Sequence, residues 1–468
     1  VFADGRLARI GGDSRQRYCY CQDYLLPTLV LAADVWNDPL APHLEAGQLE
    51  LIAREQAANG DGSFLSQRLG HIGTMSPYYY TRLESDKAVC LSMAAMWRRL
   101  RGELPAAARS PKAAELELQV AGSWEEPEHA CLMHRSPTRL VSWSWRACEF
   151  PQGLCLPPDD GTLAEWSECL AGRVTPLGEQ THPGDGRSKH TIVRTMQHSF
   201  EGGFVTSGTT TDGAEVVMME GYRAKDLVEH HLAFAALPDG HTALRIELAC
   251  NGPQRTYLAN VRGLKLNIQN DLMNGGRRTC HAASGSHVLK MELDGIERIE
   301  SLASLWTNVE GRIGVVVGYG SEALVVYRPG RRTAGYTGSL HYDELCTEAR
   351  LGPFDIAAGA IVLDNGCAII ASVDAETTRT CAESRAVVRA ACSQPQARAL
   401  VAAGRDGRTY LLAANFARED ATVTVTLPAG VAATSAVDLA DARRLGVKDS
   451  SLAVELAAGE ARLLRLDT

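Results

Sequence analysis

From Glu115 onward the sequence is cut into short runs rich in β-branched and aromatic residues, each closed by Gly, Pro, Asn or Asp. The runs fall at 115–120, 140–145, 191–196, 215–220, 242–249, 287–293, 313–317, 323–328 and 367–373. With no helical stretch between them, such strands pair antiparallel with their neighbours and stack as a sandwich. The expectation is a large antiparallel β-sandwich over residues 111–390. A further set of runs, 410–414, 422–427 and 461–466, predicts a small terminal β-domain over 391–468. The fold class expected is therefore α+β and multidomain, with the helices confined to residues 1–110.

Three helical stretches precede the β-region. Residues 18–36 carry an apolar face of Leu25, Leu26, Leu29, Val30 and Ala33, and Pro27 places the helix start near Asp23, with proline in its first turn. Residues 40–59 are helical up to Asn59-Gly60, the pair expected where a helix ends in a left-handed residue. Ser85 can cap a third helix, in which Val89, Met93, Met96 and Leu100 recur on one face before Gly102. Between the second and third helices lies a connection containing Asp61, His71, Tyr78, Tyr79, Tyr80, Arg82 and Glu84. A polar, aromatic loop held between two helices is where a scaffold places reactive groups. A phenol or imidazole can move a proton while a guanidinium offsets charge on a substrate acid, which suits proton abstraction beside a carboxylate followed by elimination. The same three tyrosines can also serve as core aromatics.

Asp61-Gly62-Ser63-Phe64 followed by His71, with Tyr80 nine residues later, resembles the hyaluronate, chondroitin and xanthan lyase family. The resemblance covers roughly 40 residues. It departs from the family in the longer gap between Phe64 and His71 and in Ser76-Pro77-Tyr78-Tyr79, where a glycine-rich stretch is expected. No counterpart of the family's catalytic asparagine is found before His71. The resemblance implies an (α/α) toroid followed by a β-sandwich, of which this chain would hold only the last toroid helices. It implies a polysaccharide lyase acting on an acidic, uronate-containing glycan by β-elimination, without cofactor or metal. His71, Tyr80 and Arg82 would be catalytic, and Tyr20, Asp23, Tyr78, Tyr79 and Glu84 would contact substrate. A glycoside hydrolase on a helical barrel is the rival reading, with Asp23, Asp61, Glu84 and Asp86 as its carboxylates. A non-catalytic carbohydrate-binding protein is another.

Charge and cysteine usage narrow the partners. Among 468 residues the net charge is −9, so no overall field attracts nucleic acid or an anionic membrane, and an acidic glycan must be held by local arginines. No apolar run reaches the length of a membrane-spanning helix. Thirteen scattered cysteines, with Cys19 and Cys21 the one close pair, lean towards buried thiols in a reducing compartment. The lyase resemblance instead implies a secreted or periplasmic protein.

Several clusters in the β-region admit two readings. Val141 to Arg146 alternates as a strand and puts Trp143 and Trp145 on one face, either as a sugar-stacking platform or as a core pair. Glu229-His230-His231 adjoins an apolar strand, where neighbouring histidines face opposite sides and cannot easily share a metal. His198, His230 or His231 can reach an active site in the family, and His231 is taken as a substrate contact. The loop with Asn270, Asn274, Arg277 and Arg278 suits either a turn or the binding of carboxylates and hydroxyls, with Asn270 and Arg277 as the contacts.

Overall fold

The computed structural model describes residues 22–58, 62–64, 77–102, 118, 120–146, 151–161, 163–164, 169–176, 187–215, 228–253, 255–269, 278–289, 297–328 and 342–468. The protein is mostly β, built from large antiparallel sheets. Its centre is a nine-stranded sheet. In spatial order its strands are Gly285–Leu289, Arg278–Ala282, Trp306–Val309, Ile313–Tyr319, Ile361–Ala371, Thr242–Asn251, Val228–Ala236, Gly203–Glu215 and Arg187–Phe200.

This sheet is covered on both faces, which explains why its inner strands are apolar almost throughout instead of alternating. On one face Leu232, Phe234, Ala243, Cys367 and Ile369 join Trp143, Trp145, Leu154, Leu266 and Val326 in a single core. The last five come from two four-stranded sheets, one made by residues 122–156 and the other by strands between Leu266 and Cys346. On the opposite face Ala233, Leu244, Ile246, Ala368 and Ile370 pack against Leu400, Tyr410, Leu412 and Leu463. Those residues belong to an eight-stranded sheet that begins with Val387–Cys392 and ends with Ala461–Asp467. Its far side folds over a core of its own, with Val401, Leu411, Val423, Val454 and Leu464.

Among the described residues three helices of the N-terminal part are α1 (Gln22–Val35), α2 (Ala41–Ala58) and α3 (Pro77–Arg101). They pack through Leu26, Val30, Ile52 and Ala94, with Leu49, Leu91 and Trp97 against them. A ring of paired helices is not formed among the described residues, so the toroid expectation finds no support. The start of α3 also differs. It lies at Pro77, eight residues before Ser85, because proline pre-sets the first helical turn and Thr81, Arg82 and Leu83 continue it.

Its apolar stripe is turned outward. Val89, Met93, Met96 and Leu100 are 44–71% exposed, while Lys87, Cys90 and Ala94 are buried. The contact with α1 and α2 runs through Leu91, Ala94 and Trp97, and the stripe of Val89, Met93, Met96 and Leu100 is left in solvent. The strand expected at 115–120 also moves. Residues 118 and 120 lie outside any strand, and the first strand is Gly122–Glu126.

A fourth helix, α4 (Ala375–Glu383), interrupts the β-region. The Asp374 carboxylate caps it by accepting from the Thr377 amide at 2.7 Å. The buried Thr378 Oγ1 accepts from Asn308 Nδ2 at 2.9 Å. Gly314 leaves room for it, since a Cβ there would lie 2.5 Å from Thr378 Oγ1.

Candidate functional site

The stretch with the most reactive residue types is the N-terminal part of α3. Tyr78, Tyr79 and Tyr80 occupy its first turn, followed by Arg82 and Glu84. Positions four apart on a helix stand over one another, so Tyr80 shares a face with Glu84 and Tyr78 shares one with Arg82. Tyr80 and Arg82, two apart, do not share a face. The helix spans 25 residues, and among its described side chains Leu91, Ala94 and Trp97 pack on α1 and α2. At its C-terminal end Arg98 and Arg101 hold the buried Glu45 of α2 at 2.9 and 3.2 Å. Tyr80 lies fourteen residues before Ala94 in the chain, about 20 Å along the helix axis. A helix N-terminus carries partial positive charge, which favours a phenolate or a carboxylate placed there. Asp23 stands in the first turn of α1. Tyr20, Asp61, His71, Asn270 and Arg277 lie outside the described residues.

The three other expected contacts are enclosed. Trp143 and Trp145 are fully buried, 5.4 Å apart edge to face, and Trp143 stacks on Phe234 at 4.8 Å. Trp145 Nε1 donates to Thr206 Oγ1 at 2.7 Å, and a Cβ at Gly208 would meet its ring at 2.6 Å. Neither ring has a face free for a sugar. They are core residues because the second sheet of the sandwich covers the side on which alternation places them.

His231 is buried as well. Its Nδ1 lies 2.8 Å from Thr209 Oγ1, and its ring stacks on Phe416 at 5.4 Å. His230 faces the other side of the strand and pairs with Glu247 at 2.5 Å. The two histidines therefore point into different layers, as strand alternation requires. His198 Nε2 lies 3.0 Å from Glu460 Oε1.

The structure also shows a buried polar centre that no sequence motif announces. Glu247 pairs across the ladder with Asn365, and Arg245 lies two residues before it on the same face. Arg245 Nη1 donates to Glu247 Oε2 at 2.8 Å, Asn365 Nδ2 donates to the same oxygen at 3.0 Å, and Arg245 Nε donates to the Leu170 carbonyl at 2.7 Å. Burial pushes the Glu247 carboxyl up, but the Arg245 charge and the His230 hydrogen bond outweigh it and hold the group well below the usual carboxylate range. Gly172 closes over the pair: a Cβ there would lie 1.6 Å from Glu247 Oε1. Beside it Arg262 grips Glu344 at 2.9 and 2.8 Å, with Lys265 3.5 Å away. All these side chains are buried. The centre is closed to a substrate, and its chemistry is that of a buried ion network joining three sheets.

None of the ten described cysteines is in a disulfide, and seven of them are buried. Burial pushes the Cys155, Cys280 and Cys367 thiols up to about 12, which removes them as nucleophiles near neutrality. Among the described residues no group of His, Cys, Asp and Glu is arranged to hold a metal ion.

No known family model matches this sequence, and no curated protein matches it. Weak structural likenesses exist to carbohydrate-acting enzymes. A xanthan lyase from Paenibacillus overlaps 99% of this chain and 52% of its own, at 10% identity and a TM-score of 0.31. An α-galactosidase from Lactobacillus brevis overlaps 55% of this chain and 41% of its own, at 7% identity and a TM-score of 0.34. An α-mannosidase from Enterococcus faecalis overlaps 74% and 43%, at 7% identity and a TM-score of 0.29. The chain thus spans about half or less of each of these structures. Likenesses this slight carry no argument about fold or activity.

Proposed function

We propose that this protein cleaves a uronate-containing glycan by β-elimination. His71 or Tyr80 removes the proton at C5 of the uronate. The electron pair forms the C4–C5 double bond as the C4–O bond breaks, and Tyr80 passes a proton to the departing glycosidic oxygen. Arg82 contributes positive charge at the same helix end, where the N-terminal dipole of α3 also favours the substrate carboxylate. Tyr78, Tyr79 and Glu84 on α3, with Tyr20, Asp23, Asn270 and Arg277 elsewhere in the chain, are proposed as substrate contacts. Trp143, Trp145 and His231 are excluded by burial.

The observation that carries this reading is the position of Tyr80. Nine residues after His71, it stands in the first turn of α3, at the helix end that carries partial positive charge. Incubation with a panel of uronate glycans should generate an unsaturated uronate that absorbs in the ultraviolet. Chain cleavage with new reducing ends but no ultraviolet product would replace elimination with hydrolysis. Binding without cleavage would leave a carbohydrate-binding protein.

A further inference from the structure

The eight-stranded C-terminal sheet is seated on the central sheet partly through an imidazole. His231, on strand Val228–Ala236, projects from the face opposite Glu247 and lays its ring against Phe416, which follows strand Thr409–Asn415 of the C-terminal sheet. The contact is enclosed. Thr209 of the hairpin lies 2.8 Å from Nδ1, and the ring is buried.

Charged groups face this imidazole from every side. Arg194 comes from strand Arg187–Phe200, and its side chain is packed against Gly459. Arg418 comes from the turn after Phe416, and Arg398 from strand Ala397–Ala403. Glu229 lies 3.7 Å from His231 Nε2, but it is ion-paired to Arg418. Arg398 is held by Asp364 at 2.8 Å. On its own strand the neighbour is His230, engaged with Glu247 on the other face. Along the same seam His198 meets Glu460, which also accepts from Arg462 Nε at 2.7 Å.

We propose that this seam is an acid-sensitive clasp, in which a neutral His231 stacks on Phe416 and protonation of His231 loosens the C-terminal sheet from the central one. A proton on the ring would place a further cation among three guanidinium groups, out of water. Burial, then His230 and the three arginines, lower its pKa to about 4. The direction of the pH effect follows from that. Between the ordinary histidine range and about 4, the opened state takes up a proton that the closed state refuses. Closure is therefore fully favoured above the ordinary range and weakens as pH falls. From pH 7 to pH 5 the ratio of closed to open should drop about 20-fold, for a group whose pKa is about 6.5 when released.

A second group titrates in this range with the opposite sign. Burial pushes the Glu348 carboxyl up to about 6, against the pull of Arg350, so acid favours its enclosed form. A net loosening in acid therefore cannot come from Glu348.

The test is amide hydrogen exchange of strand Ala397–Ala403 and of residues 416–420 in the full chain, corrected for intrinsic rates, at pH 7 and pH 5. Wild-type protein should open about 20-fold more readily at pH 5. His231→Gln, and His231→Phe, which keeps an aromatic stack on Phe416, should lose that pH step even where their opening at pH 7 has changed. His198→Gln should retain it. A wild-type protein without the step, an unchanged step in both His231 variants, or its loss in His198→Gln would each overturn the proposal.

Discussion

In strand Thr242–Asn251 two full charges lie out of water, each matched by a partner on an adjoining strand or on its own. In helix α3 four long apolar side chains stand in water. The two regions thus reverse the usual preferences. The strand can bury Arg245 and Glu247 because cross-strand pairing brings Asn365 and His230 to them, and because Gly172 leaves the space. The helix exposes Val89, Met93, Met96 and Leu100 because its packed face is the one bearing Cys90, Ala94 and Trp97. Burial in this chain is decided by which face a neighbour covers more than by residue type. A completed interior resists change, while a surface with spare apolar groups tolerates it.

That contrast can be broken by substitution. The largest effect is expected at Glu247. Glu247→Ala strands Arg245 and should cost about 3–5 kcal/mol in stability, read from the urea midpoint. Glu247→Gln keeps most of the hydrogen bonds and should cost less. Equal losses from the two would show that the charge of the carboxylate, and not its shape, sustains the centre. Next comes Gly172→Ala, whose new methyl would overlap the Glu247 carboxylate and should cost about 1–3 kcal/mol. A neutral result would mean that the segment over the ion pair can move aside. The smallest effect belongs to the helix. Met93→Gln and Met96→Gln should each shift stability by no more than about 0.5 kcal/mol. A loss several times larger would reveal that this stripe is covered in solution.

The strands were largely legible because β-rich runs between turn residues are a local signal. Runs 140–145, 313–317 and 461–466 lie in or across observed strands. Which face of a strand is covered is not local. Alternation placed Trp143 and Trp145 on one side, but only the sheet stacked above them decides that this side is sealed. The Glu247 centre was invisible for the same reason. Its members, from His230 to Asn365, are spread along the sequence and meet only through register. Helix α4 was missed although Asp374 stands at its head with Thr377 three residues on, a capping pattern hidden by the short length of the helix. The helical periodicity of α3 is legible, yet its apolar stripe marks the wrong face, since the contact runs through Leu91, Ala94 and Trp97. For the proposed site, the sequence supplied residue types and spacing, and the structure added that Tyr78, Tyr79 and Tyr80 belong to a helix and not to a loop.

The central claim is that Tyr80, and not the neighbouring phenols, moves the proton. Tyr80→Phe removes only a hydroxyl, so the circular dichroism and unfolding midpoint should remain those of wild type. Its rate of forming ultraviolet-absorbing unsaturated uronate should fall by about 10²–10⁴-fold, with Tyr79→Phe close to wild type. A folded Tyr80→Phe protein that turns over uronate glycan at the wild-type rate would contradict the account.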